Sequence, residues 1–316
     1  MADSDMKDSL DQAQRSRPAA AVAVATVKKF QEDRSTRMAS MIAFWAFFSI
    51  FPLFLLLVSL LGFFLPSSTK SNVLHHVAAM FPLLDPSTVG HLSGSWWSVV
   101  LGGATALWSG TAVVRTTEFA FNSVWEIPMS ERPRMVEQLI RAFKALALIG
   151  VGLVVSTVIS GFVTGQSNGL HLGAGARVGG YVIDVALDVG LFMVAFRMLT
   201  DTDVSFRDVL PGAVLSGVGF WILQQLSSFV ISNRLQHAQS TYGHVATVIT
   251  ILWWFYLQAV LTLFGAQLNV VLNRRLHPRS LGDDHTEADR RTLESYAESR
   301  SYEEREKVDA ELPDRS

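Results

Sequence analysis

The chain of 316 residues is too apolar for an ordinary soluble domain of its size, with 49% hydrophobic residues, 17% charged residues and a mean hydropathy of +0.29. It contains no cysteine, which excludes a disulfide framework, a thiolate zinc site and a cysteine nucleophile. The charge is unevenly placed, because residues 281–316 hold 12 acidic and 6 basic residues while the other 280 hold 16 acidic and 20 basic. These features predict an integral membrane protein with a mildly basic body.

Residues 1–37 form a mostly polar N-terminal tail. Within it, residues 19–30 place several apolar side chains ahead of Lys28 and Lys29, a pattern typical of a short helix on the inner membrane surface. A frayed tail is the alternative. The first long apolar segment comes after this tail and is too long for the core of a cleaved signal peptide.

Six apolar segments follow, each long enough for the roughly 20 residues that a helix needs to cross the hydrocarbon. The fourth is the weakest because it carries Asp184 and Asp188. We predict an all-α bundle of six transmembrane helices within residues 38–276, with spans near 40–65, 95–122, 142–166, 178–199, 209–232 and 245–273.

The distribution of Lys and Arg predicts the orientation, since basic residues near span ends usually stay in the cytoplasm. If both termini are cytoplasmic, the cytoplasmic segments hold 14 Lys and Arg residues near the span ends. The external loops then hold three, Lys70, Arg177 and Arg234. The charged C-terminal segment, residues 277–316, is then cytoplasmic, and its composition predicts that it is disordered or loosely helical.

Asp184 and Asp188 are four residues apart and share one face in the outer half of the fourth span. One interpretation is a cation or proton site that opens to the outside. The other is a structural role, with hydrogen bonds to neighbouring helices or exposure in a shallow external funnel.

Two further spans carry polar stripes. The stripe in the second span has three interpretations: an ion pair at the membrane interface, a gate, or a contact with lipid headgroups. The stripe in the sixth span is typical of contacts with other helices. Together with the carboxylates of the fourth span, these stripes form a candidate polar path: Arg115, Glu118 and Asn122; Asp184 and Asp188; Gln258 and Asn269.

The sequence contains none of the common catalytic or phosphate-binding patterns, such as HExxH, GxSxG or GxxxxGK[ST]. We therefore predict no enzymatic activity, no catalytic residue, no bound metal and no cofactor. Topology and anionic lipid account for the basic residues, so the expected partners are membrane lipids rather than nucleic acid. Small residues also form stripes in the fifth span, at Gly212, Ser216 and Gly219, and in the sixth, at Gly265. Such stripes usually face other helices, within one chain or in a homo-oligomer.

The chain resembles the YihY/BrkB family of bacterial inner-membrane proteins over roughly residues 30–275. The resemblance rests on separated segments that match the family's first, second, fifth and sixth spans. The residues that carry it include Ser49, Pro52, Trp108, Asn122, Trp125, Pro211, Gly212, Tyr242, Gly243, Gly265 and Asn269. Two departures are Trp45 or Phe47 where the family often has Tyr, and Gln267 where it usually has Glu.

The resemblance implies six transmembrane helices in the inner, or plasma, membrane. Some family members have carried a ribonuclease label, and others are associated with envelope integrity, virulence or transport of an envelope component. Our leading hypothesis is transport or translocation of a lipid, an ion or another envelope component. The alternative is an envelope-integrity or scaffold protein that acts through partners, and a third hypothesis is a membrane enzyme that holds Mg²⁺ at Asp184 and Asp188.

Overall fold

A computed structural model describes residues 17–64, 96–128, 132, 135–164, 174–238, 243–280 and 286–298. All regular structure in these ranges is helical, in agreement with the predicted all-α class. The helices are α1 (Pro18–Glu32), α2 (Ser35–Phe64), α3 (Trp96–Val124), α4 (Met135–Thr164), α5 (Ala174–Met198), α6 (Phe206–Ala238), α7 (Gly243–Asn273) and α8 (287–298).

Five segments of these helices are long and apolar enough to cross a membrane: Ser35–Leu53, Trp96–Val124, Val178–Met198, Phe206–Leu226 and Val248–Asn273. They coincide with five of the six predicted spans, including the fourth, whose apolar character is reduced by two aspartates. Helix α4 occupies the place of the predicted third span. The count of six and the cytoplasmic position of both termini stay predictions.

The N-terminal helix predicted over residues 19–30 is present as α1. It starts with a proline in the first turn, where a missing N–H leaves no hydrogen bond unmade. Arg34 then adopts a left-handed conformation with φ of 53° and joins α1 to α2. One face of α1 is buried, and the ring of Phe30 stacks on Phe264 with centroids 4.1 Å apart.

The described parts of the chain divide into two compact units. The first draws on Met1–Ala39, Thr117–Gln224 and Val260–Ser316, and the second on Ser40–Thr116 and Gln225–Ala259. In the second unit Trp108 packs edge-on against Trp45 and Phe48, with ring centroids 5.9 and 6.4 Å apart.

Helices α6 and α7 approach closely in the first unit. A Cβ on Gly265 would lie 2.7 Å from the carbonyl oxygen of Gly212 and would overlap Ser216 Oγ. The side chain of Asn269 is also part of this crossing, since its Oδ1 accepts a hydrogen bond of 2.7 Å from the Gly212 N–H. The predicted small-residue stripes of the fifth and sixth spans therefore meet each other here.

The start of α6 differs from the prediction. The sequence places Pro211 in the first turn of a helix beginning near residue 209, whereas α6 begins at Phe206 and contains Pro211 in its interior. The charged residues Arg207 and Asp208 end the apolar run before Val209, yet Asp208 caps this end of α6 by accepting a hydrogen bond from the Ser205 N–H at 2.8 Å.

Part of the C-terminal segment is also more ordered than its composition suggests. Thr286 and Asp289 form a capping box that starts α8: the Asp289 N–H donates to Thr286 Oγ1 at 3.2 Å, and the Thr286 N–H donates to Asp289 Oδ2 at 3.1 Å. Asp289 and Thr292 are buried in the first unit. Over residues 286–298 the structure shows a packed helix where we predict disorder or loose helix.

Candidate functional site

The α5 carboxylate pair, Asp184 and Asp188, lies one helical turn apart. Asp188 is only 4% exposed, and its Oδ2 has no hydrogen-bond partner among the described residues. Asp184 is half-buried. The Nε1 of Trp221, whose ring packs against Tyr181 with centroids 5.9 Å apart, is another buried polar atom without a described partner.

An unsatisfied carboxylate oxygen inside a membrane helix is costly unless a proton or a cation neutralises the charge. The described residues contain no group of three or more His, Asp or Glu side chains arranged to hold a metal ion. A pair of carboxylates one turn apart suits the transient binding of a proton or a monovalent cation better than a caged divalent metal.

The three residues predicted as a stripe in the second span have different surroundings. Arg115 is exposed, and Glu118 is 4% exposed. Asn122 is 1% exposed and is bonded to Asp201, whose backbone N–H donates to Asn122 Oδ1 at 2.9 Å while Asn122 Nδ2 donates to Asp201 Oδ2 at 2.5 Å. Asn122 therefore ties the end of α3 to the segment that follows α5.

The predicted path residues of the sixth span are also dissimilar. Gln258 is half-buried, whereas Asn269 is buried in the crossing of α6 and α7. Within the described ranges no hydrogen bond joins Asp188 to Asn122 or Asn269. Both asparagines bond to other helices or loops, so their observed contacts are those of packing residues.

The remaining motif residues lie in or beside α2, α3 and α7. Ser49 is buried and donates to the Ala46 carbonyl at 2.7 Å, while α2 continues through Pro52. Gly243 is the first residue of α7, and Tyr242 lies outside the described residues. Trp125 follows α3, is buried, and accepts a hydrogen bond of 2.6 Å on its carbonyl oxygen from Arg274.

A buried ionic group that sequence reasoning missed lies where α3 and α7 end. We call it the Lys29 cluster; its members are Lys29, Asp33, Glu126, Gln267 and Arg274. Lys29 is fully buried, and its Nζ lies 2.9 Å from Asp33 Oδ2 and 2.8 Å from Glu126 Oε1. Arg274 Nη1 contacts the other oxygen of Glu126 at 2.9 Å.

The electrostatics of the Lys29 cluster hold Glu126 in the charged form. Burial raises the pKa of Glu126, but the charge and hydrogen bond of Lys29, a hydrogen bond from Ser295 and the charge of Arg274 outweigh burial, so the pKa lies below its ordinary value. On α8, Tyr296 donates to Asp33, and burial together with the neighbouring carboxylates raises the pKa of its phenol. The phenol therefore stays protonated as a donor.

Gln267 is fully buried in the Lys29 cluster, and its contacts give a reason for an amide at this position. Its Nε2 donates to Asp33 Oδ2 at 2.7 Å and to Ser35 Oγ at 2.9 Å. An ionised carboxylate at this position would face the Asp33 carboxylate with like charge and would offer it no hydrogen-bond donor. The amide instead supplies the donor that Asp33 uses.

A second ionic group, the Asp289 cluster, joins α1 to the segment after α7 and consists of Lys28, Glu32, Arg279 and Asp289. Arg279 is 3% exposed and bridges both carboxylates, with Nε 2.9 Å from Asp289 Oδ1 and Nη1 2.8 Å from Glu32 Oε2. Lys28 Nζ adds a contact of 3.0 Å to Asp289. Burial raises the pKa of Asp289, but hydrogen bonds from Ser280, Thr286, Arg279 and Lys28 outweigh it and hold the pKa well below its ordinary range.

These pKa shifts predict the pH at which α8 leaves its position. Carboxylates with a lowered folded-state pKa contribute stability that is complete above the ordinary value of about 4 and is lost as the pH falls below it. We therefore expect pulsed hydrogen exchange, corrected for intrinsic rates, to show residues 286–298 equally protected at pH 7 and pH 5 and much less protected at pH 3. Loss of protection already at pH 5 would contradict these pairings. Asp289→Asn should lower the protection at pH 7.

The chain matches the model of the family described as "Virulence factor BrkB" over residues 26–290. It is 26% identical over 184 residues to "Putative ribonuclease-like protein YfkH" of Bacillus subtilis, covering 55% of this chain and 65% of that one. A "UPF0761 membrane protein" of Pseudomonas aeruginosa is 29% identical over 191 residues, covering 59% and 45%. A UPF0761 membrane protein of Pseudoalteromonas translucida is 26% identical over 169 residues, covering 51% and 53%.

The chain spans between about a third and two thirds of the length of the curated relatives it matches. No solved structure matches it significantly. The family match extends over most of the chain, from α1 into α8, and includes both ionic clusters as well as the α5 carboxylate pair. The long apolar helices and the match together identify a membrane protein, and the chain belongs to the Virulence factor BrkB family.

Proposed function

We propose that this membrane protein moves a lipid, an ion or another envelope component across the bacterial inner membrane without enzymatic chemistry. The proposal rests on Asp188, which lies in the middle of an apolar helix. This residue is buried, and its Oδ2 accepts no hydrogen bond from any described residue. Ionisable groups inside membrane helices are rare, and they commonly mark proton or ion pathways.

The surroundings of Asp184 and Asp188 favour reversible binding of a proton or a cation over a permanent ion pair. Asp184, one turn nearer the start of α5, is half-buried, so the two carboxylates lead from a more accessible position to a less accessible one. A proton or cation that enters at Asp184 reaches Asp188 by one helical turn. In the predicted orientation this route opens from outside the cell.

The test is flux through proteoliposomes that contain the purified full chain, followed with labelled phospholipid and with a proton-sensitive dye. We expect flux by the natural sequence and its loss, by about tenfold or more, in the double variant Asp184→Asn, Asp188→Asn. Glu137→Gln is the matched control, because it makes the same carboxylate-to-amide change at an exposed position of α4. Its flux should equal that of the natural sequence.

A scaffold function is the second candidate, and a specific observation favours it. The Lys29 and Asp289 clusters fix α1 and α8 to the ends of α3 and α7, so these two helices are held in a defined arrangement. Folded protein that moves neither lipid nor protons, with or without the aspartates, would contradict translocation and support this alternative.

A further inference from the structure

A cavity of about 680 Å³ lies in the first unit where α5 ends and α6 begins. Its charged lining residues are Arg141, Arg197, Asp201 and Asp203, and Thr200 and Ser205 also face it. Along α5 it is more than two helical turns from Asp188, so it is separate from the carboxylate pair.

Two of the four charges in this cavity neutralise each other. Asp201 has a side chain that is 2% exposed, forms a salt bridge with Arg141 through Oδ1, and accepts a hydrogen bond from Asn122 on Oδ2. Because both of its oxygens are engaged and Asn122 is itself buried, Asp201 is held in place, and its charge is neutralised by Arg141, whose side chain is 49% exposed.

The other two charges are available to a ligand. Arg197 is exposed and lies over the ring of Phe206, with 4.1 Å from its guanidinium carbon to the ring centroid. The contact with the ring restrains the guanidinium, and the exposure of Arg197 leaves N–H donors accessible to a ligand. Asp203 is exposed, and neither Arg197 nor Asp203 forms a salt bridge with another described residue.

The position of the cavity relates these charges to the membrane surface. Arg197 is in the last turn of the apolar segment Val178–Met198, and Phe206 opens the next one, Phe206–Leu226. The ends of such segments lie at the level of lipid headgroups. A ligand at this level meets one cation and one anion together, which matches a headgroup that itself carries one charge of each sign.

We propose that this cavity binds the headgroup of a phospholipid with a primary amine, the phosphate at Arg197 and the ammonium at Asp203. A guanidinium edge suits a phosphate oxygen pair, and a primary ammonium can donate to a carboxylate where a quaternary ammonium cannot. A purely anionic headgroup would meet Asp203 with like charge. Binding requires no movement of the lipid, so the proposal stands apart from translocation.

The test is lipid binding to the detergent-purified full chain, measured by native mass spectrometry with phosphatidylethanolamine, phosphatidylcholine and phosphatidylglycerol of identical acyl chains. We expect phosphatidylethanolamine to bind at least about fivefold more tightly than the other two. Arg197→Gln should weaken all three lipids. Asp203→Asn should remove the preference for the ethanolamine lipid while leaving phosphatidylglycerol binding unchanged or tighter.

Arg207→Gln is the matched control for the arginine variant, since Arg207 is exposed on α6 and does not line the cavity. It should bind all three lipids as the natural sequence does. Equal affinity for the three lipids, or an Arg197→Gln variant that melts and binds like the natural sequence, would overturn the proposal. Competition by soluble glycerophosphoethanolamine at the same concentration as the lipid would also overturn it, because the ligand would then be a free phosphate ester.

Discussion

Replacing Lys29 with methionine should lower the free energy of unfolding by about 3–5 kcal/mol, the usual effect of removing one partner from a buried ion pair. The Lys29 side chain is fully buried and neutralises both Asp33 and Glu126, at 2.9 and 2.8 Å. Methionine fills a similar volume but leaves two carboxylates in a low-dielectric environment. Thermal unfolding of the purified protein in detergent measures the change.

Lys144→Met is the matched control, because it makes the same substitution at an exposed position of α4 and should shift the midpoint very little. A second variant identifies the cause. Adding Glu126→Gln to Lys29→Met removes one of the two carboxylates that lose Lys29, so the double variant should be clearly more stable than the sum of the single effects predicts. Additive effects would show that Lys29 acts through packing alone.

The transmembrane part of the fold is the part that the sequence predicts best. Long apolar runs report directly on spans, and even the weak fourth run, with two aspartates, coincides with a membrane-length helix, Val178–Met198. The small-residue stripes also predict where helices pack against each other, since Gly212 and Gly265 meet, together with Asn269, at the crossing of α6 and α7. In each case the signal is local and periodic.

The ionic clusters lack such a signal. Lys29 is paired four residues away with Asp33, which a helical pattern shows, but its contact with Glu126 spans 97 positions of the chain. The C-terminal segment illustrates the same limit. Its average charge predicts disorder or a loose helix, whereas α8 uses particular side chains, Asp289 in a capping box and Tyr296 against Asp33, to pack in the first unit. Composition averages over a segment and does not report which charges find partners.

Changing Gly212 to alanine should destabilise the protein by about 1–3 kcal/mol, through overpacking of the crossing between α6 and α7. The added Cβ would overlap the carbonyl oxygen of Gly265 and lie 2.5 Å from Asn269 Nδ2. A backbone oxygen cannot rotate away as a flexible side chain can, so the helices must separate. Separation would also stretch the hydrogen bond from the Gly212 N–H to Asn269, which measures 2.7 Å.

Gly190→Ala is the control that separates this steric effect from a general effect of alanine in a membrane helix. Gly190 lies in α5, and a Cβ there would meet nothing within 4 Å. Since alanine favours a helix over glycine by up to about 1 kcal/mol, Gly190→Ala should be neutral or mildly stabilising. Thermal unfolding of the two variants in the same detergent should therefore move the midpoint down for Gly212→Ala and not for Gly190→Ala. Equal midpoints would mean that α6 and α7 do not cross at Gly212, and the packing role assigned to Asn269 would fall with that contact.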